Sequence, residues 1–285
     1  MSRISCLAFC LLASSACASF FYYSSFVNEN MEHIKFDLGK NIVETARMSG
    51  VPKFTARDIE GYVSYSTNGI PKELPAVFDR PPYRVSFAPL FAFTMYADVS
   101  NKNNLAVHNV TLQFDTREFQ SHEYAQSFVS NLTQQMAKAG WLRYISEDCP
   151  AVSGRSTLLD KDGVLDPMPG CPLDPVYRIH PSEWTAVMAS EQSYQWTADG
   201  ILAKLRISFS EGKNEILYRV FMEFDEATVK NRRDKEFLIR DLAAGDQKGW
   251  KSNEKYARRQ KEEAMLIKNL ETNAELRGDL VLKRQ

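Results

Sequence analysis

Phe91-Ala92-Phe93-Thr94-Met95-Tyr96-Ala97-Asp98-Val99, a polar break at Ser100 to Asn104, and Ala106-Val107-His108-Asn109-Val110-Thr111-Leu112-Gln113-Phe114 decide the fold class. In each run, side chains on one parity are mostly apolar and those on the other mixed or polar. That period of two belongs to a half-buried strand, and the short break makes the pair a β-hairpin. The reading predicts Phe91, Phe93, Met95, Ala97 and Val99 on the buried face, with Ala106, His108, Val110, Leu112 and Phe114 opposite them. It also makes His108 a hydrogen-bonded core histidine.

Downstream, Tyr124, Ala125, Phe128, Val129, Leu132 and Met136 recur at helical spacing, with Ser121 as N-cap and Gly140 as stop. Trp141 to Ser146 reads as a short strand. Residues 147–179 carry five prolines and read as loop. A short helix opening at Pro181 turns Trp184, Val187 and Met188 to one face. Tyr194 and Trp196 then lead to Asp199-Gly200, a strong two-residue hairpin turn. Two more alternating runs follow, Ala203 to Phe209 and Ile216 to Phe224, completing a three-strand meander.

Upstream, Ile34, Leu38, Ile42 and Ala46 predict a helix near 30–48, capped by Asn28 or Asn30 and ended by Gly50 and Pro52. Residues 53–82 are mixed, with turn signals at Asn68-Gly69 and Pro81-Pro82. The expected architecture is α+β: an antiparallel sheet, made of the hairpin and the meander, with helices packed on one side and a charged helical C-terminal tail. The order of elements also hints at two related halves, without a residue-level repeat.

The first residues read as an export leader. Arg3 supplies the positive region, Ile4 to Leu12 an apolar core, and Ala16-Cys17-Ala18 the small residues before a cleavage point, giving a signal peptide over 1–18. Two other readings stay open: a lipidated Cys17, although Ser14 stands where a lipobox wants a large aliphatic residue, and an uncleaved anchor over residues 4–27. All three place the body in the periplasm or outside the cell. Cysteine usage agrees: Cys6, Cys10 and Cys17 lie in the leader, leaving Cys149 and Cys171 as a pair suited to a disulfide in an oxidising compartment.

The division expected is a leader, a globular domain over 19–225 and a tail over 226–285. With 44% apolar and 12% aromatic residues, the chain has material for a core. The tail holds 15 of the 35 Lys and Arg residues and 11 of the 36 Asp and Glu, so a mildly basic tail follows a mildly acidic body. Neither imbalance suits a nucleic-acid partner. Gly245 and Gly249 are expected to break the tail into two helices.

Signatures of chemistry are few. No G-x-S-x-G elbow or phosphate loop occurs, and the S-x-x-K matches at Ser210 and Ser252 fall in a hairpin turn and in the charged tail. His33, His108, His122 and His180 show no ligand spacing. Asp160, Asp162 and Asp166 around Gly163 resemble part of a calcium loop, but Leu165 and Cys171 stand where the pattern needs Gly and Glu. The sequence therefore predicts no cofactor, no metal and no catalytic residue. It points to a non-enzymatic binding or inhibitor protein whose partner is another protein, with membrane contact only through a lipidated Cys17 or an uncleaved leader. An immunity protein against a secreted, envelope-targeting toxin would suit the layout. The alternatives are an envelope assembly factor docking through the tail, and a wall or lipid hydrolase using Glu147, Asp148, Asp160 or His180. The expected contact surface is the stapled loop, through Arg155, Asp160, Lys161, Asp162 and Asp166, with Trp184 beside it.

Overall fold

The structure is a computed structural model that describes residues 33–49, 54–59, 61–99, 105–213 and 215–284. In chain order, β1 (Ile34–Phe36) and α1 (Ile42–Met48) lead to β2 (Thr55–Ile59), β3 (Tyr62–Asn68), β4 (Ala76–Phe78) and β5 (Val85–Phe87). The hairpin β6 (Leu90–Asp98) and β7 (Val107–Phe114) precedes α2 (His122–Lys138), β8 (Leu142–Arg143) and α3 (Pro181–Met188). The meander β9 (Gln192–Ala198), β10 (Ile201–Glu211) and β11 (Ile216–Glu226) runs into α4 (Ala227–Gln247) and α5 (Ser252–Leu276).

Eight strands form one antiparallel sheet in the order β2-β3-β6-β7-β11-β10-β9-β8. Its centre is the β7–β11 pair, flanked by β3-β6-β7 on one side and β11-β10-β9 on the other. The two halves of the sheet, β2-β3-β6-β7 and β11-β10-β9-β8, meet antiparallel through β7 and β11; only β9-β10-β11 is a meander, since β4 and β5 intervene between β3 and β6. A second sheet, β1-β4-β5, joins β1 to β4 in parallel and β4 to β5 antiparallel.

The small sheet and helices α2 and α3 cover the same face of the large one. Phe36, Phe78 and Phe87 pack on Phe224, with Phe78 and Phe224 stacked at 5.2 Å and Phe36 edge-on to Phe93 at 5.5 Å. Further along, Phe114 meets Phe128 of α2 at 5.1 Å, and Trp184 of α3 donates its Nε1–H to the Tyr218 hydroxyl at 2.8 Å. Each buried aromatic of this kind contributes both area and specific ring geometry.

Several expectations hold in detail. Ser121 caps α2 by accepting from the Tyr124 amide, and Gly140 takes a φ of +82° just past its end. Asp199 and Gly200, both at positive φ, make the tight turn between β9 and β10. The helix expected near 30–48 is corrected. Ile34 and Phe36 form a strand against Ala76–Phe78, Gly39 turns the chain at φ +82°, and the helix begins only at Ile42. Asn41 is its cap, accepting from the Val43 and Glu44 amides; Asn28, Asn30, Gly50 and Pro52 lie outside the described residues. Phe91 is also corrected. A register shift between Leu90 and Ala92 buries Leu90 instead and leaves Phe91 exposed.

The tail forms the two helices expected, but only Gly249 breaks it, at φ +74°. Gly245 lies within α4, where the chain returns so closely past it that a Cβ would overlap Ser252 Oγ. Among the described residues no helix is long and apolar enough to cross a membrane. The leader readings over 1–18 and 4–27, with Cys17, fall outside the described residues.

Candidate functional site

Cys149 and Cys171 are joined, and the segment between them is held from the other side by the end of the chain. Leu282 donates its amide to the Ala151 carbonyl, and Ser153 donates to the Leu280 carbonyl. Asp279 accepts from both the amide and the hydroxyl of buried Ser156, at 3.2 and 2.5 Å, while Arg277 donates to the same hydroxyl. Glu271 accepts from the Ala151 amide, and Arg284 donates to the Cys149 carbonyl. Residues 271–284 form a clasp on the stapled loop.

That clasp changes what the predicted contact residues do. Trp184 is corrected outright: it is 2% exposed and part of the core, so it offers no surface. Arg155 is exposed and paired with Glu183 at 2.6 Å. Asp160 accepts from the Asp162 and Val164 amides, which makes the would-be calcium loop a self-satisfied Asx turn. The Lys161 side chain pairs with Asp162, and its carbonyl takes a hydrogen bond from Asn273 of α5. Asp166 is exposed, with its amide bonded to the Leu158 carbonyl. Lys161, Asp162 and Asp166 thus share one exposed turn, while Arg155 is paired towards α3. His180 and His122 are also occupied, the first capping α3 and the second bonded to the Tyr218 hydroxyl at 2.6 Å. Among the described residues no three His, Cys, Asp or Glu side chains come together to hold a metal ion.

A further cavity lies elsewhere, on the opposite face of the large sheet. It measures about 720 Å³ and opens between α4 and the ends of β3, β6, β7 and β11. Its position follows from a fault in the hairpin. Tyr96 pairs with Asn109, yet Ala97 pairs with Val107, so β7 holds one residue more than β6 at this point. The extra residue is His108. A bulge of this kind re-aims a side chain, and here Val107 and Val110 both reach the core while His108 joins Tyr62, Tyr96 and Asn109 in lining the cavity. The inward histidine expected from simple alternation is therefore corrected. Asp225, the last outward residue of β11, accepts from Asn109 Nδ2 at 2.8 Å and lies under the first turns of α4. The helix closes the site with Lys230, Arg233, Phe237 and Arg240.

His108 is 5% exposed, and burial, reinforced by the charge of Arg233, pushes its pKa down to about 4. The imidazole is neutral at neutral pH. Arg233 Nη1 lies 3.4 Å from His108 Nδ1, a contact in which the guanidinium can only donate. Nε2 has no hydrogen-bond partner among the described residues. Arg233 also covers the face of Tyr62 at 4.5 Å, and Tyr62 meets the His108 ring edge-on at 5.9 Å. Burial raises the pKa of Asp225, against the opposing hydrogen bond from Asn109. A buried histidine beside a guanidinium is a poor proton acceptor, so the arrangement suits recognition better than acid–base chemistry.

Two kinds of signal in the sequence could have marked this place. Tyr62 and Tyr96 are large aromatics on the outward parity of their strands, and Phe237 is an aromatic within a strongly charged helix. The bulge leaves no mark, because one inserted residue does not interrupt an apolar run. No family model, no curated protein and no solved structure matches the chain.

Proposed function

We propose that the chain is an exported, non-enzymatic binding protein that receives a protein partner in the cleft between α4 and the outer face of the sheet. The observation that carries this reading is the cleft's lining. Tyr62, Tyr96 and Phe237 stand among Arg233, Arg240 and Asp225, and aromatic and arginine side chains are those enriched where proteins bind proteins. Phe237 is 62% exposed, an anchor that a partner would bury. The Cys149–Cys171 pair supports an oxidising, extracytoplasmic setting such as a periplasm, with a cleaved signal peptide or a lipidated Cys17 as the means of export. In that setting the role we favour is inhibition: an immunity protein that occupies a secreted, envelope-targeting toxin.

A second reading, an envelope assembly factor docking through its C-terminal helices, is favoured by one observation. Along α4 only Gly245 is buried, so nearly all of the helix remains free for a partner. The residues named for a hydrolase, Glu147, Asp148, Asp160 and His180, line none of the best-formed cavities.

The test is site-specific photo-crosslinking in envelope extracts, with the probe at position 237 and a control probe at exposed Leu217 on β11. One partner should crosslink from 237 and not from 217. Arg240→Ala, an exposed change that leaves the fold intact, should weaken capture by roughly tenfold or more, the scale of an interface hot spot. Equal labelling from both positions would refute the cleft as the binding site.

A further inference from the structure

We propose that the turn joining α4 to α5 docks on an anionic phospholipid surface, with Trp250 entering the headgroup layer. The turn is Lys248-Gly249-Trp250-Lys251, and Trp250 is 57% exposed, whereas Trp141, Trp184 and Trp196 are 4%, 2% and 1% exposed. Lys248 lies over its indole at 4.7 Å, and one edge of the ring passes beside Gly245 of α4. A tryptophan between lysines has the amphipathic character of side chains that settle at a membrane–water boundary.

The surroundings supply the complementary charge. Lys248, Lys251, Lys255, Arg258, Arg259 and Lys261 fall within fourteen residues that contain one acidic residue, Glu254. Arg258 and Arg259 reach towards Glu262 and Glu263 at 3.9 and 3.2 Å, but these are exposed pairs that solvent weakens. Lys248, Lys255 and Lys261 have no carboxylate within 4 Å among the described residues. Nor does the rest of the protein use this region. From Asp241 to Leu266 the side-chain hydrogen bonds and ion pairs join the two helices only to themselves, as in Asn253 to Asp246 and Gln260 to Glu263. The apex is separate from the cleft, which ends at Arg240, so this proposal stands apart from the protein-binding one.

A lipid surface fits better than a nucleic acid. The apex offers a single aromatic on a convex turn, not a groove that tracks a backbone with successive stacking platforms.

Because the other three tryptophans are buried, emission changes on titration report Trp250. With phosphatidylglycerol–phosphatidylcholine vesicles, the purified full chain should show a blue shift, and bromolipids should quench the signal. Both effects should vanish in 1 M salt, where screening acts over roughly 3 Å. Lys248→Ala and Lys251→Ala together should weaken vesicle affinity by about 25-fold, at roughly five-fold for each basic residue near the surface. Circular dichroism confirms that the helices persist in the variant. The proposal is overturned if the emission is unchanged by anionic vesicles, responds equally to phosphatidylcholine alone, or responds to duplex DNA and not to lipid.

Discussion

Asp279→Ala removes the carboxylate at the centre of the clasp. Its Oδ2 accepts from the Ser156 amide at 3.2 Å and from the Ser156 hydroxyl at 2.5 Å, and Ser156 is buried. A hydrogen bond to a charged group contributes about 1.5–3 kcal/mol, and the buried amide left without an acceptor adds a desolvation cost. The two bonds share one oxygen and one partner residue, so their contributions do not add. Arg277 keeps its own bond to the hydroxyl, which limits the loss further. The expected destabilisation is about 2–3 kcal/mol, or roughly 4–12 °C in the thermal midpoint for a chain of this size. Urea and thermal unfolding under non-reducing conditions measure it. A double-mutant cycle with Ser156→Ala should return a coupling of about 1–2 kcal/mol, which isolates the contact from any general effect of losing a charge. A change below about 0.5 kcal/mol, ordinary for a surface substitution, would refute the claim that the chain end holds the loop.

Two further outcomes follow from the same structure. His108 has a folded pKa of about 4 against an ordinary 6.5, so between those values the unfolded chain binds a proton that the folded protein refuses. Stability should therefore fall as pH drops from 6.5 to 4, by up to roughly 3 kcal/mol, with no contribution to the slope above 6.5; His108→Asn should flatten that part of the profile, and superimposable profiles for the two proteins would contradict the assignment. Replacing Cys149 and Cys171 by serine reopens a loop with a sequence separation of 22 and should cost about 3 kcal/mol by chain entropy. Chemical denaturation with and without reductant checks it, and a reductant effect that persists in the double variant would assign the loss to something else.

The legible part of the fold is the part whose elements are long enough to show a period. The nine residues of β6, the eleven each of β10 and β11, and the seventeen of α2 with its Ser121 cap could be read directly. The strands β1, β4 and β5 are three residues each, too short for alternation, and their aromatic payload at Phe36, Phe78 and Phe87 was visible only as composition. Ile34 to Ala46 misled because a strand, a glycine turn and a short helix placed apolar residues at intervals that imitate one helix. The stapled loop was rightly paired, but Trp184 was wrongly placed on its surface. The loop's partners Asp279, Leu280 and Leu282 follow the end of α5; Leu280 and Leu282 bind through backbone groups, which carry no side-chain signature, and the lone carboxylate of Asp279 stands out no more than any other in a charged tail. The cleft was missed for a related reason. Burial patterning identifies the face of a sheet that packs, whereas His108, Tyr96 and Asp225 belong to the face that does not.

The staple and the cleft are distant in sequence yet mechanically linked. Helix α4 leaves β11 with its first amide on the Gly200 carbonyl, and its backbone has no other anchor on the sheet beyond that turn. Over the sheet it is held by Arg233, against His108 and Tyr62, and at the far end by the tight passage of Gly245 beside Ser252 and then by α5, which buries Ile267, Leu270 and Ala274 and ends in the clasp. Cys149, Ala151, Val152 and Leu159 are buried outside the main core, and the Ala151 amide and the Lys161 carbonyl are bonded by Glu271 and Asn273 of α5. The disulfide also secures the segment on which α5 is anchored. It rigidifies the footing on which the C-terminal helices stand, and it does so without a large core of its own. Residues 149–171 do not line the cleft; they meet the C-terminal helices at the end of α5.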